Sequence, residues 1–120
     1  MSREGGKIRH ENQGPESLLG SAHSLIHLVE YATGSIVSRV ILKQSGGNVT
    51  LFAFDQGQEL SEHTTPFDAV VQVLDGEVEL LVGGNPVVVR AGEIAIMPAH
   101  VPHAVKALTA FKMLLTMLRS

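Results

Sequence analysis

The 120-residue sequence has no cysteine and no tryptophan, only one tyrosine, and four phenylalanines. Without cysteine there is no disulfide, no thiolate nucleophile and no cysteine metal site. No Gly-x-Ser-x-Gly elbow supplies a serine nucleophile instead. Nine Lys and Arg against twelve Asp and Glu give a formal net charge of −3. That charge offers no basic field for phosphate backbones, and few rings remain for base stacking, which argues against nucleic acid as a partner of this chain alone. Long apolar runs are also missing. The segment Phe111 to Leu118 is interrupted by Lys112 and falls well short of the roughly 18 residues that span a bilayer. The first residues lack the apolar stretch of a signal peptide, so the expectation is a soluble, cytoplasmic protein without a membrane partner. No phosphate-cradling loop is evident, because the glycine pairs stand between apolar runs with no helix after them.

What the chain does have is a dense alternation of short β-type runs and glycine turns. Hydrophobic residues make up 44% of a length suited to one domain. The opening, Met1 to Gly14, is polar and reads as a tail. Over residues 17 to 29, Leu18, Leu19, Ala22, Leu25, Ile26 and Val29 recur at helical spacing and predict a short helix, weakened by Gly20. From Ser35 the period changes. Runs at 36–42, 49–54, 69–74, 78–82, 87–89, 94–97, 103–107 and 111–118 are separated by turn residues, with Asp75-Gly76 as a hairpin signal. About eight short strands at roughly ten-residue spacing predict an all-β fold, a jelly-roll or closed barrel, with a short N-terminal helix or arm. The organisation expected is a tail and helix over 1–34 and a β-barrel over 35–118.

Two segments carry the chemistry. Gly57, five residues, His63, and later Gly76 form one; Gly92, Pro98 and His103 form the other. At these residues the chain resembles the cupin superfamily, in particular its small single-domain members. The first cupin motif places histidine, a second histidine, glutamate and glycine after its opening glycine. Here these positions are His63, Thr65, Ala69 and Gly76. The second motif runs glycine, proline, glycine, histidine, asparagine, matched by Gly92, Pro98, His100, His103 and Ala107. The spacing agrees throughout, and the resemblance implies a double-stranded β-helix barrel with His63 and His103 meeting inside it.

The same resemblance implies a divalent metal, Fe, Mn, Zn or Ni, held by histidines and a glutamate. This sequence keeps two of those ligands. A catalytic site usually has about three protein ligands and an open position, so His63 and His103 need a carboxylate, for which Asp68 is the candidate. Strand alternation places His63, Thr65, Phe67 and Ala69 on one face, and Pro66 can break that alternation. The alternative is a metal-free pair of buried polar side chains. His100 stands at a glycine position, which implies positive φ.

The candidate ligand-binding residues are therefore His63, Thr65, Phe67, Met97 and His103, with the phase of Phe52 and Phe54 open. Met97, Met113 and Met117 fit core packing or a pliable pocket wall. The reading is a barrel that binds a small polar organic molecule. The alternative is a metal-dependent dioxygenase, isomerase or decarboxylase using His63 and His103; a structural role is third. The resemblance also implies a homodimer, with Gln72, flanked by Val70 and Leu74, on the outer face.

Overall fold

The computed structural model describes residues 7–10 and 18–119. Among the described residues, ten strands form two facing sheets: β1 (Lys7–His10), β2 (Ser35–Gln44), β3 (Gly47–Phe54), β4 (Glu59–His63), β5 (Asp68–Asp75), β6 (Glu77–Val82), β7 (Asn85–Arg90), β8 (Ile94–Met97), β9 (His103–Ala107) and β10 (Phe111–Leu118). The six-stranded sheet has the order β1-β2-β3-β10-β5-β8, and the four-stranded sheet β4-β9-β6-β7. From β4 onward the chain passes repeatedly from one sheet to the other, interrupted by the β6–β7 hairpin, which is the winding of a jelly roll.

All eight strands read from the sequence are present, and β5 and β6 carry most plainly the alternation that a two-sided sheet demands. In β5, Ala69, Val71 and Val73 are buried while Gln72 is exposed. Val78 and Leu80 of β6 likewise point inward between less buried glutamates. These side chains meet Ile36, Phe54, Phe111 and Met113 in the space between the sheets. Phe54 and Phe111 lie at its centre, with ring centroids 4.7 Å apart. Burying each such side chain contributes about 1.5–3 kcal/mol.

Four expectations change. The tail contains β1, paired in parallel with residues 35–38 of β2; the edge of β2 offers backbone groups that Lys7–His10 satisfies. The remaining residues of the expected tail lie outside the described ones. The helix expected over 17–29 does not form among the described residues. Between 19 and 29 the only helical conformation is one 3-10 turn, Leu25–His27. Gly20 has φ +73°, a left-handed conformation that a helix cannot pass through. The apolar residues of this segment are spent on the outer face of the six-stranded sheet, where Leu25, Leu28, Val29 and Tyr31 cover Val37, Leu51 and Ala53. Two polar contacts hold this strap: the Tyr31 hydroxyl donates to Asp75 Oδ2 at 2.5 Å, and buried Lys112 donates to the Ile26 carbonyl at 2.6 Å.

Asp75-Gly76 does not close a hairpin. β5 belongs to one sheet and β6 to the other, so this pair turns a corner between them. Gly76 is required there twice over: its φ is +76°, and a Cβ would stand 2.0 Å from the Ala110 carbonyl oxygen. Finally, His63 does not begin the strand that holds Ala69. It ends a separate strand, β4, in the opposite sheet, and Thr64 to Phe67 carry the chain across.

Candidate functional site

His63 and His103 reach each other across a strand pair. β4 and β9 are antiparallel neighbours, and the two histidines are register partners. Their rings pack edge to face with centroids 4.4 Å apart. A bulge between Leu60 and His63 sets this up: Leu60 pairs with Val105, yet three residues later His63 pairs with His103, two residues away on β9. In a regular strand residues three apart face opposite sides. The extra residue turns Leu60 and His63 to the same side.

The corners that carry the histidines are laced together. The His100 N–H donates to the Thr65 carbonyl at 2.8 Å, and the Ala99 N–H donates to Asp68 Oδ1 at 2.8 Å. His100 has φ +67°, as its place at a glycine position implies. Within the first corner, Thr65 Oγ1 accepts from the Phe67 N–H at 3.2 Å.

Beneath the pair lies a cavity of ≈ 60 Å³. β4 and β9 supply Leu60, His63, His103 and Val105; β3 supplies Phe52. The opposite wall is Ala69 of β5 with Met97, Met113, Leu115 and Met117 from β8 and β10. The volume accommodates a few water-sized groups. Of the residues nominated from sequence, His63, Met97 and His103 line it. Thr65 and Phe67 do not: the Thr65 hydroxyl serves its own corner, and the Phe67 ring lies 5.4 Å from the Arg119 guanidinium. Asp68 is exposed and fastens the second corner. Leu60 escaped sequence reading because a bulge has no compositional signal. Strand phase leaves Phe52 undecided in the sequence, and Met113 and Met117 fit core packing there better than a pocket wall.

Both imidazoles are held in one tautomer. His63 Nδ1 lies 2.8 Å from the Ser61 carbonyl oxygen, and His103 Nδ1 lies 3.2 Å from that of Val101. A carbonyl only accepts, so each Nδ1 carries the proton and each neutral ring keeps its lone pair on Nε2. His103 is buried, and its pKa is lowered, first by desolvation and then by neighbouring His63, with the Val101 carbonyl acting in the opposite direction. The neutral imidazole is thus the state that His103 favours.

Neutral imidazoles fixed by backbone carbonyls are how proteins orient metal ligands. The donor set nevertheless does not fit the divalent ion that the cupin motif implies. Among the described residues no three His, Cys, Asp or Glu side chains converge. The motif's glutamate position is Ala69, whose methyl brings no donor, and its second-histidine position is Thr65, turned away. Two imidazoles fall short of the usual three ligands.

Comparison with known proteins agrees with this architecture. The family described as a cupin domain matches residues 50–118. A conserved protein of unknown function from Streptococcus pyogenes is 32% identical, with a TM-score of 0.81 over 84% of this chain and 89% of its own. A cupin 2 conserved barrel domain protein from Leptotrichia buccalis is 42% identical, with a TM-score of 0.77. The match covers 79% of this chain but only 46% of that protein. A cupin superfamily protein from Desulfitobacterium hafniense, 24% identical over 84% of this chain and 93% of its own, shares the fold with a TM-score of 0.79. No curated protein matches. No helix among the described residues is long and apolar enough to cross a membrane. With two motifs in register, a matching barrel and a family match over more than half its length, the chain belongs to the cupin family.

Proposed function

We propose that this cupin is a binding module that takes a small polar organic molecule at the cavity beneath His63 and His103. The observation that carries the reading is the tautomer: both Nδ1 atoms are committed to carbonyls, at 2.8 and 3.2 Å, which leaves two Nε2 acceptors at an otherwise apolar cavity. Such a pair suits a ligand that inserts a hydroxyl or amide N–H and leaves its larger part outside, since ≈ 60 Å³ admits only a few heavy atoms. Divalent-metal chemistry has less support, because the cavity supplies no carboxylate as a third ligand.

A thermal-shift panel of small alcohols, phenols and amides tests this, since a ligand specific to the folded state raises the melting temperature. Compounds that stabilise the wild type and lose their effect in His103→Phe support it. A panel without hits, or hits indifferent to that substitution, rejects it.

The chain is also proposed to form a homodimer through the outer face of β5 and β8. Ile94 and Ile96 are each 61% exposed there, in register with Gln72 and Val70. Unpaired apolar surface on an edge strand favours such self-association. Light scattering of wild type and Ile96→Lys decides it: a dimer mass that the substitution halves is expected, and a monomeric wild type ends the idea.

A further inference from the structure

The wall facing the two histidines contains three of the chain's four methionines. Their placement is ordered. In the six-stranded sheet Ala69 of β5 pairs with Met117 of β10 on one side and with Met97 of β8 on the other. The row Met97–Ala69–Met117 therefore runs across three strands and faces His63 and His103, with Met113 deeper on the same wall. Where the cupin motif has a carboxylate, this chain has a methyl flanked by two thioethers. Oxygen is absent from this wall and sulfur is abundant.

From this donor set we propose that the cavity binds one soft monovalent metal ion, Cu(I), through the Nε2 atoms of His63 and His103 and the sulfur atoms of Met97 and Met117. The thioethers select Cu(I) over harder divalent ions, and imidazole serves copper as well as it serves those ions. Charge points the same way. Every donor here is neutral, so a bound ion keeps its full charge among side chains that are buried or half-buried on every side but that of exposed His63. The desolvation cost grows with the square of that charge, about fourfold from a monovalent to a divalent ion. The Ser61 and Val101 carbonyls already hold both imidazoles with the coordinating nitrogen unprotonated. Methionine's flexible side chain adapts to the ion without displacing the strands. The proposal rests on the cavity being a binding site, as argued above, and goes beyond the organic ligand: the ion takes the same two Nε2 atoms and excludes that ligand while it is bound.

The test is an anaerobic titration of the full chain with Cu(I) against bicinchoninate, a chromophoric Cu(I) chelator, with Zn(II) titrated in parallel. One Cu(I) per chain is expected, with both nitrogen and sulfur scatterers in its X-ray absorption spectrum. The double variant Met97→Leu/Met117→Leu, nearly volume-conserving, weakens Cu(I) binding by about tenfold or more, and Zn(II) binds appreciably to neither protein. Single Met97→Leu and Met117→Leu variants, together with sulfur scattering in the wild type, decide the matter if the double variant does not fold. Failure to take up Cu(I), a spectrum without sulfur, or Cu(I) affinity indifferent to the methionine variants overturns the proposal. If Cu(I) fails while a hydroxyl or amide compound still stabilises the protein through His103, the ion is rejected and the organic site stands. If neither binds, both readings fall.

Discussion

Restoring the missing carboxylate is the sharpest perturbation available. Ala69 is 1% exposed, lines the cavity with His63 and His103, and occupies the glutamate position of the cupin motif. In the metal-free protein, Ala69→Glu places a carboxylate in a wall of methionines and aliphatic side chains. An unsatisfied buried polar group costs about 1–3 kcal/mol, and a charged one more. A loss of about 3 kcal/mol lowers the melting temperature of a domain this size by roughly 10 °C. With the glutamate present, zinc finds two imidazoles and a carboxylate, enough for a tetrahedral site with one open position. Zinc at about 100 times its Kd returns about 2.7 kcal/mol, nearly the whole loss. The assay is thermal unfolding of wild type, Ala69→Glu and Ala69→Gln, in chelator and in zinc. The glutamate variant falls by roughly 10 °C in chelator and recovers most of it in zinc; the glutamine variant falls without recovering; the wild type moves by less than about 2 °C. A glutamate variant that ignores zinc, or a wild type stabilised equally, refutes the argument that the lost carboxylate is what denies this cavity a divalent ion.

Three further outcomes follow from particular contacts. Gly76→Ala combines positive φ with a Cβ placed 2.0 Å from the Ala110 carbonyl oxygen, so the β9–β10 corner must move; a loss above about 3 kcal/mol in urea unfolding is expected, and a neutral effect contradicts it. His103 has its pKa lowered in the folded state, so the unfolded chain takes up the proton first as pH falls. Its contribution to stability is complete above the unfolded value near 6.5 and declines from there toward the lower folded value. Melting temperature in chelator therefore drops from about pH 7.5 to about pH 5.5, less steeply in His103→Gln, and a rise over that descent is the contrary result. Tyr31→Phe removes the hydroxyl that donates to Asp75 and loosens the strap over Leu51 and Ala53. About 0.5–1.5 kcal/mol is lost, since the bond is exposed, with faster hydrogen exchange at Leu28 and Val29, whereas unchanged exchange means that the Tyr31–Asp75 bond does not hold the strap.

The sequence by itself determined eight strands from Ile36 onward, because period-two burial is written residue by residue in runs such as Ala69 to Leu74, but not β4, whose only large apolar residue is Leu60. Its resemblance to the cupin motifs implied that His63 and His103 meet in one barrel and that His100 has positive φ, as the structure shows. Tertiary structure decided the rest. The apolar residues 18–29 repeat at helical spacing, yet the outer face of the six-stranded sheet takes them as a strap, a contact between segments far apart in sequence. The hairpin signal at Asp75-Gly76 specifies a turn with positive φ, but which strand the chain meets next is set by the packing of Gly76 against Ala110. The cavity wall was the least legible. A bulge in β4 turns Leu60 and His63 to the same side, and strand register alone brings Met97, Ala69 and Met117 into one row. Those residues lie far apart in the chain, and no local pattern encodes that they share a wall with two histidines.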